Sequence, residues 1–167
     1  YRAAKGREQF ALKGLKQSAL KKMRTGRTGS ALDSVKMEVA TMKKIAHPNC
    51  VHMFDVIVTP SDDEICLLLE YVDGGPSQVV GADGQPVPLS KKQIWSHTRH
   101  LVMGLEYLHM HGIVHRDIKP ENLLLNKRGV LKIADFGTSA FCEGDANAQK
   151  TAGTPPFFAP ELCTKET

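Results

Sequence analysis

Between residues 113 and 137 the chain reads IVHRDIKPENLLLNKRGVLKIADFG, a charged stretch held between apolar runs. A surface turn between strands draws on Gly, Asn, Asp or Ser and has no use for an arginine, an aspartate, a lysine and a glutamate together. LLLN and VLKIA flank KRG, which predicts a hairpin whose second strand returns Asp135 to the loop that carries Asp117 and Asn122. Two carboxylates and an amide carbonyl are hard oxygen ligands, suited to Mg²⁺ held by few protein groups together with substrate phosphates. Lys119 places a cation at the same mouth. The combination suits phosphoryl transfer, in which catalysis is mostly positioning and charge neutralisation.

The rest of the chain must support that loop. With 167 residues, 41% of them hydrophobic, it can bury a core as one domain or as a two-lobed part of one. Cys50, Cys66, Cys142 and Cys163 form no CxxC pair, so reduced thiols in a cytoplasmic or nuclear setting are expected, with no disulfide. No apolar run reaches the length of a membrane span, and YRAAKGREQF at the start has no hydrophobic signal core, so no membrane partner is expected. Residues 1 to 47 hold 12 Lys/Arg against 3 Asp/Glu, and the remainder 10 against 15, which splits the net +4 into +9 and −5. KGLKQSALKKMRTGRTG, residues 13 to 29, lacks aromatic residues for base stacking, so this is read as a solvated basic face with no nucleic-acid partner.

EQFALKGL, 8 to 15, reads as a strand with a lysine in its middle, and Gly26 and Gly29 mark a following loop. From Asp33, Val35, Glu38, Met42 and Ile45 recur on one helical face, with Val39 and Ala46 adjoining it. A glutamate in such a face is costly unless it reaches the edge or a cation comes to it. EICLLLEYV, 64 to 72, is a continuous apolar run between turn signals, as expected of a central strand, and GADGQPVP, 81 to 88, is a loop. Ser90 and Gln93 then form a capping box and Leu89 with Ile94 a hydrophobic staple. They open a helix with Ile94, Thr98, Leu101, Leu105 and Leu108 on one face, ending at Gly112. His47, His52, His97 and His100 lack the convergent spacing of a zinc framework and are read as ordinary exposed or core histidines.

HRDIKPEN (115 to 122), DFG (135 to 137) and APE (159 to 161) together resemble the protein-kinase signature set, in its order. FALK (10 to 13) resembles its nucleotide-binding lysine strand, and Glu38 stands where that lysine's helix partner should be. The resemblance implies an α+β, bilobal protein-kinase-like fold truncated at both ends. Residues 1–72 would be a partial small β-rich lobe with one helix and the hinge, without the Gly-rich loop, and 73–167 a partial large, mainly helical lobe ending just after APE.

The same resemblance implies ATP and Mg²⁺ as cofactors. Asp117 would be the base for the substrate hydroxyl, with Lys119 beside the transferred phosphate. Lys13 and Glu38 would form the ion pair on the α/β-phosphates, and Asn122 and Asp135 would ligate the metal. Leu69 would be the gatekeeper, backbone groups of Glu70 and Val72 would bond adenine, and Ala11 with Leu124 would sandwich it. Met42, Met53, His115 and Phe136 would form a stacked apolar spine, and Thr154 would bond Asp117 and Lys119.

Lys119 and GTPPFFAPE are similar to the serine/threonine class, and Thr138 after DFG implies a threonine acceptor. GLEYLHMHGIVHRDIKPENLLL, KIADFGTSAFCEGDA and KTAGTPPFFAPE resemble the calcium/calmodulin-dependent protein kinase kinases. Pro76 stands where many kinases place a ribose-binding acid. KMRTGRTGSALDS is shorter than that family's insert and has no proline. These likenesses imply a protein substrate that is itself a kinase, and a calmodulin contact, if any, through regions outside this chain. The chain read as a fragment is expected to be inactive in isolation and to expose apolar surface on its long helix. Lys150 occupies the usual place of the activating phosphothreonine. Arg116 is therefore expected to meet Glu143, Asp145 or water, and phosphorylation at Thr151 is not expected to be needed. The alternative is a pseudokinase or scaffold that binds nucleotide or partners without catalysis.

Overall fold

A computed structural model describes residues 2–5, 8–22, 24–25, 29–59, 63–141 and 152–163. The chain divides into two compact units, one of residues 1–46 and 51–71, the other of residues 47–50 and 72–167.

In the first unit, β1 (Arg2–Lys5), β2 (Glu8–Lys16), β5 (Met53–Thr59) and β6 (Glu64–Glu70) form an antiparallel sheet in the order β1-β2-β6-β5. The apolar run at 64–70 is thus an interior strand. Ile65 and Leu67 are buried on one face, while Cys66 and Leu68 on the other are half-buried. Strand β2 runs beside it with Lys13 opposite Leu67 and Ala11 opposite Leu69. A short helix, α1 (Gln17–Lys22), and the paired β3 (Arg24–Thr25) and β4 (Gly29–Ser30) follow, so Gly29 starts the second strand of a short pair where a loop was expected, and Gly26 lies outside the described residues. Helix α2 (Ala31–Lys43) buries Val35, Glu38, Met42 and, just past its end, Ile45, which is the face that the 3.6-residue period predicts. Val39 is half-buried and Ala46 exposed, so the face is narrower than the sequence suggests.

In the second unit, α3 (Lys91–Met110) starts at Ser90, whose hydroxyl accepts from the Gln93 amide while the Gln93 side chain accepts from Ser90 N–H, the expected capping box. Only its C-terminal half is deeply packed, through Gly104 and Leu108. Ile94 and Thr98 are exposed, and the proposed staple pair Leu89 and Ile94 stays open to solvent. Helix α3 lies against β7 (Ile113–Val114) and β9 (Leu131–Ile133). Strand β9 pairs with β8 (Leu123–Leu125) as the expected hairpin, turning through Gly129 at φ 76°. Strand β7 pairs with β10 (Ala140–Phe141), and α4 (Pro160–Cys163) closes the described chain.

Gly104 decides how close α3 comes. A Cβ there would stand 2.8 Å from Ile133 Cδ1 and 3.0 Å from the Asn49 carbonyl oxygen. Residues 47–50 belong to this unit because Asn49 bonds β9 twice, its Nδ2 donating to Leu131 O at 2.9 Å and its carbonyl accepting from Ile133 N–H at 2.8 Å. Cys50, Cys66 and Cys163 are free thiols, and burial pushes Cys50 up to about 12, which leaves it unreactive. No described helix is long and apolar enough to cross a membrane.

Candidate active site

Each unit carries its own set of the residues singled out in the sequence. In the first, Lys13 Nζ meets Glu38 Oε1 at 2.7 Å. Glu38 sits among the buried residues of α2 at 5% exposure, and the cation that its position demands comes from the middle of β2. The Glu70 N–H donates to His52 O at 2.8 Å, which narrows the expected adenine contact at Glu70 to its carbonyl. Leu69 is half-buried opposite Ala11, and Met42 and Met53 are buried in this unit.

In the second unit the loop after β7 is fixed at several points. Thr154 Oγ1 donates to Asp117 Oδ1 at 2.6 Å, Lys119 Nζ reaches Asp117 Oδ2 at 2.8 Å and also donates to Thr154 Oγ1 at 2.7 Å. Asn122 Nδ2 donates to Asp117 Oδ2 at 3.0 Å and to Asp117 O at 2.8 Å. Burial alone would raise the Asp117 pKa, but the hydrogen bonds from Lys119, Thr154 and Asn122 outweigh it and hold the carboxyl below its usual range. The bond to Asp117 in turn raises Lys119. Both stay ionised at neutral pH.

His115 links this loop to the DFG segment. Its Nε2–H donates to Ala134 O at 3.0 Å and its Nδ1 accepts from Asp117 N–H at 3.3 Å, a pattern that only the neutral ring satisfies. Burial likewise holds it below the ordinary histidine range. Ala134 N–H donates to Asn122 O at 2.8 Å, and Phe136 is buried edge-on to His115 at 5.1 Å. Asp135, at the turn out of β9, has φ 60°, and Arg116 has φ 68°. Left-handed backbone costs a non-glycine residue about 1–2 kcal/mol. Here it marks both ends of the constellation, as strain stored at a functional site does.

The donor set fits a hard divalent cation. Asn122 commits its NH₂ to the loop and so has its carbonyl oxygen to offer, and Asp135 supplies a carboxylate. Among the described residues no group of three or more His, Cys, Asp or Glu converges on a metal site. A cation held by Asn122 and Asp135 would therefore complete its shell with oxygens from elsewhere.

Two features were not visible in the sequence. Arg116 Nε donates to Thr138 O at 2.5 Å, and Thr138 Oγ1 donates to His115 O at 3.1 Å, so the residue after DFG clamps the loop that carries Asp117. The carboxylates expected for Arg116, Glu143 and Asp145, lie outside the described residues, as do Lys150 and Thr151. Gly153 is the other. Its φ of 112° suits glycine alone, and a Cβ would collide with the Arg116 carbonyl oxygen. The only hint was the dipeptide Gly153-Thr154. Gly153→Ala is expected to destabilise the protein by about 1–3 kcal/mol and to displace Thr154 from Asp117. Thermal denaturation read beside turnover checks this, and an unchanged midpoint would contradict it.

The polar network, the paired lysine and the ordered motifs are joined by a direct comparison: the chain matches the protein kinase domain model over residues 1–167. The chain belongs to the protein kinase family. It is similar to serine/threonine-protein kinase ssp1 of Schizosaccharomyces pombe, 42% identical over 164 residues that cover 94% of this chain and 25% of that protein. It is 46% identical over 135 residues to the calcium/calmodulin-dependent protein kinase kinase of Caenorhabditis elegans, covering 80% of this chain and 24% of that one. With serine/threonine-protein kinase GRIK2 of Arabidopsis thaliana it shares 39% identity over 164 residues, 98% of this chain and 40% of that protein. This kinase-family chain thus spans well under half the length of these relatives.

Proposed function

We infer that the protein carrying this chain is a serine/threonine protein kinase that transfers the γ-phosphoryl group of ATP to a protein hydroxyl, and that its substrates are themselves kinases. The observation that carries the reading is the Asp117–Lys119–Thr154 cluster, in which an ionised carboxylate is held by two neighbours and an amide. A carboxylate fixed to this degree positions a hydroxyl nucleophile and accepts its proton. Its lowered pKa makes it a weak base, which fits a loose transition state in which proton transfer lags behind phosphoryl transfer. Lys119 neutralises charge on the migrating phosphoryl group, and Lys13, oriented by Glu38, pairs with the remaining phosphates. Mg²⁺ on Asn122 and Asp135 would supply the Lewis-acid charge neutralisation.

In this reading the first unit is the small lobe and the second is part of the large one. The substrate class is supported by the similarity to a calcium/calmodulin-dependent protein kinase kinase and to SNF1-activating kinase 1 of Saccharomyces cerevisiae, 39% identical over 151 residues. Thr138 supports a threonine acceptor. A cytoplasmic or nuclear location is part of the same proposal.

The test is a thermal shift on the full-length protein. ATP with Mg²⁺ is expected to raise the midpoint by several degrees at saturating ligand, by linkage, and ATP with EDTA by much less. No shift with either would remove the kinase reading. A shift that ignores the metal would favour a nucleotide-binding pseudokinase.

A further inference from the structure

On the second unit, away from the Asp117 cluster, α3 and the β8–β9 turn enclose an open groove of about 680 Å³. Its apolar lining comes from Trp95, Met103, Pro48 and Val130, and its polar lining includes Arg99 and His100. Trp95 is 77% exposed, an uncommon state for the largest apolar side chain in the molecule.

The walls are cross-linked before any ligand arrives. Asn49 bonds Leu131 and Ile133, Gly104 lets α3 approach both segments, and Leu131 N–H donates to His100 Nδ1 at 3.3 Å. That last bond puts the neutral ring's proton on Nε2, the donor His100 can offer. A preformed groove binds without the cost of ordering its walls.

Charge identifies the occupant. Arg99 is the charged residue of the lining, and the segments that form the groove, 47–50, 91–103 and 126–133, also carry Lys91, Lys92, Lys127, Arg128 and Lys132 and no Asp or Glu, the one acid of α3 being Glu106 beyond Met103. Lys127 pairs with Asp73 at 3.5 Å and Lys132 is buried, while Lys91, Lys92, Arg99 and Arg128 are exposed. An apolar trough that holds Arg99, with exposed Lys91, Lys92 and Arg128 on the segments that form it, complements an apolar side chain flanked by carboxylates.

We propose that this groove docks a short acidic segment of a partner protein, with one or two apolar side chains seated against Trp95 and Met103 and flanking Asp or Glu on Arg99 and His100. The groove uses none of the residues that hold Asp117, so docking and phosphoryl transfer are separable.

The probe is a fluorescein-labelled peptide with a Leu-Ala-Leu core between pairs of glutamates, titrated by anisotropy against the full-length protein. Saturable binding that weakens with salt is expected. Trp95→Ala and Arg99→Glu should each weaken it by about tenfold or more, as truncation of aromatic and arginine anchors does, and leave MgATP affinity unchanged. Asp117→Asn should bind the peptide normally, so loss of phosphotransfer with peptide binding retained would count against the kinase reading alone. The proposal is overturned by absence of saturable binding, by equal binding of a lysine-for-glutamate peptide, or by equal binding of a serine-for-leucine peptide, which would reveal a general anion surface. Parental affinity in both variants would also overturn it.

Discussion

Asp117→Asn in the full-length protein is expected to lower turnover by about 10²–10⁴ while changing MgATP affinity little. The amide keeps the shape of the side chain but loses the proton-accepting charge. It also introduces an NH₂: at the Oδ1 position the Thr154 hydroxyl must reverse and accept, and at the Oδ2 position the bonds from both Lys119 and Asn122 are lost. Turnover would therefore fall through loss of the base and through loosening of the loop. Thr154→Val separates the two: it removes one donor, leaves the carboxylate ionised, and is expected to reduce turnover far less. Steady-state kinetics on both variants decides the matter, and near-normal turnover in Asp117→Asn would remove this residue from the mechanism.

Lys13→Met is expected to do two kinds of damage that can be told apart. Removing one partner of a buried ion pair leaves the other charge uncompensated, at about 3–5 kcal/mol when both are fully buried. Lys13 is 36% exposed, so water reaches the pair from its side and the expected loss is reduced to about 1–3 kcal/mol. Glu38, at 5% exposure between Val35 and Met42, is the group left stranded. Lys13→Met with Glu38→Leu should recover the stability, because the stranded carboxylate is gone, yet should not recover phosphotransfer. Thermal midpoints and turnover of the single and double variants make the comparison. Recovery of activity in the double variant would show that the pair serves folding only.

Much of this architecture could be read from short-range chemistry. The capping box at Ser90 and Gln93, the helical face through Val35, Glu38 and Met42, the interior strand at 64–70 and the hairpin around Gly129 are all specified by residues within a few positions of each other. The demand of Glu38 for a cation was likewise visible, since a carboxylate in an apolar face has few ways to persist. What escaped depends on distant partners. Helix α1 begins where Gln17 and Ser18 donate their N–H groups to the carbonyl and carboxylate of Asp63, which no local pattern announces. Strand β5 lies at the edge of the described sheet and leaves Phe54, Ile57 and Val58 exposed, so it lacks the alternation that identifies a half-buried strand.

The site shows the same division. Motif spacing pointed to Asp117, Lys119, Asn122 and Asp135, because oxygen ligands and a cation in one short segment have a chemical meaning by themselves. The Arg116 bond to Thr138 and the closeness of Gly153 to Arg116 arise only when separate loops meet. The grouping of exposed Trp95 and Arg99 in one groove became apparent only once Pro48 and Val130 were placed beside them.

The most direct test of the central claim is transfer of label from γ-³²P ATP with Mg²⁺ to a protein acceptor, using the full-length protein and paired acceptors that differ only in Thr or Ser. The account predicts label on the hydroxyl, more on threonine than on serine, and its loss in Asp117→Asn. Tight MgATP binding with no transfer to either acceptor, or transfer that survives Asp117→Asn, would contradict it.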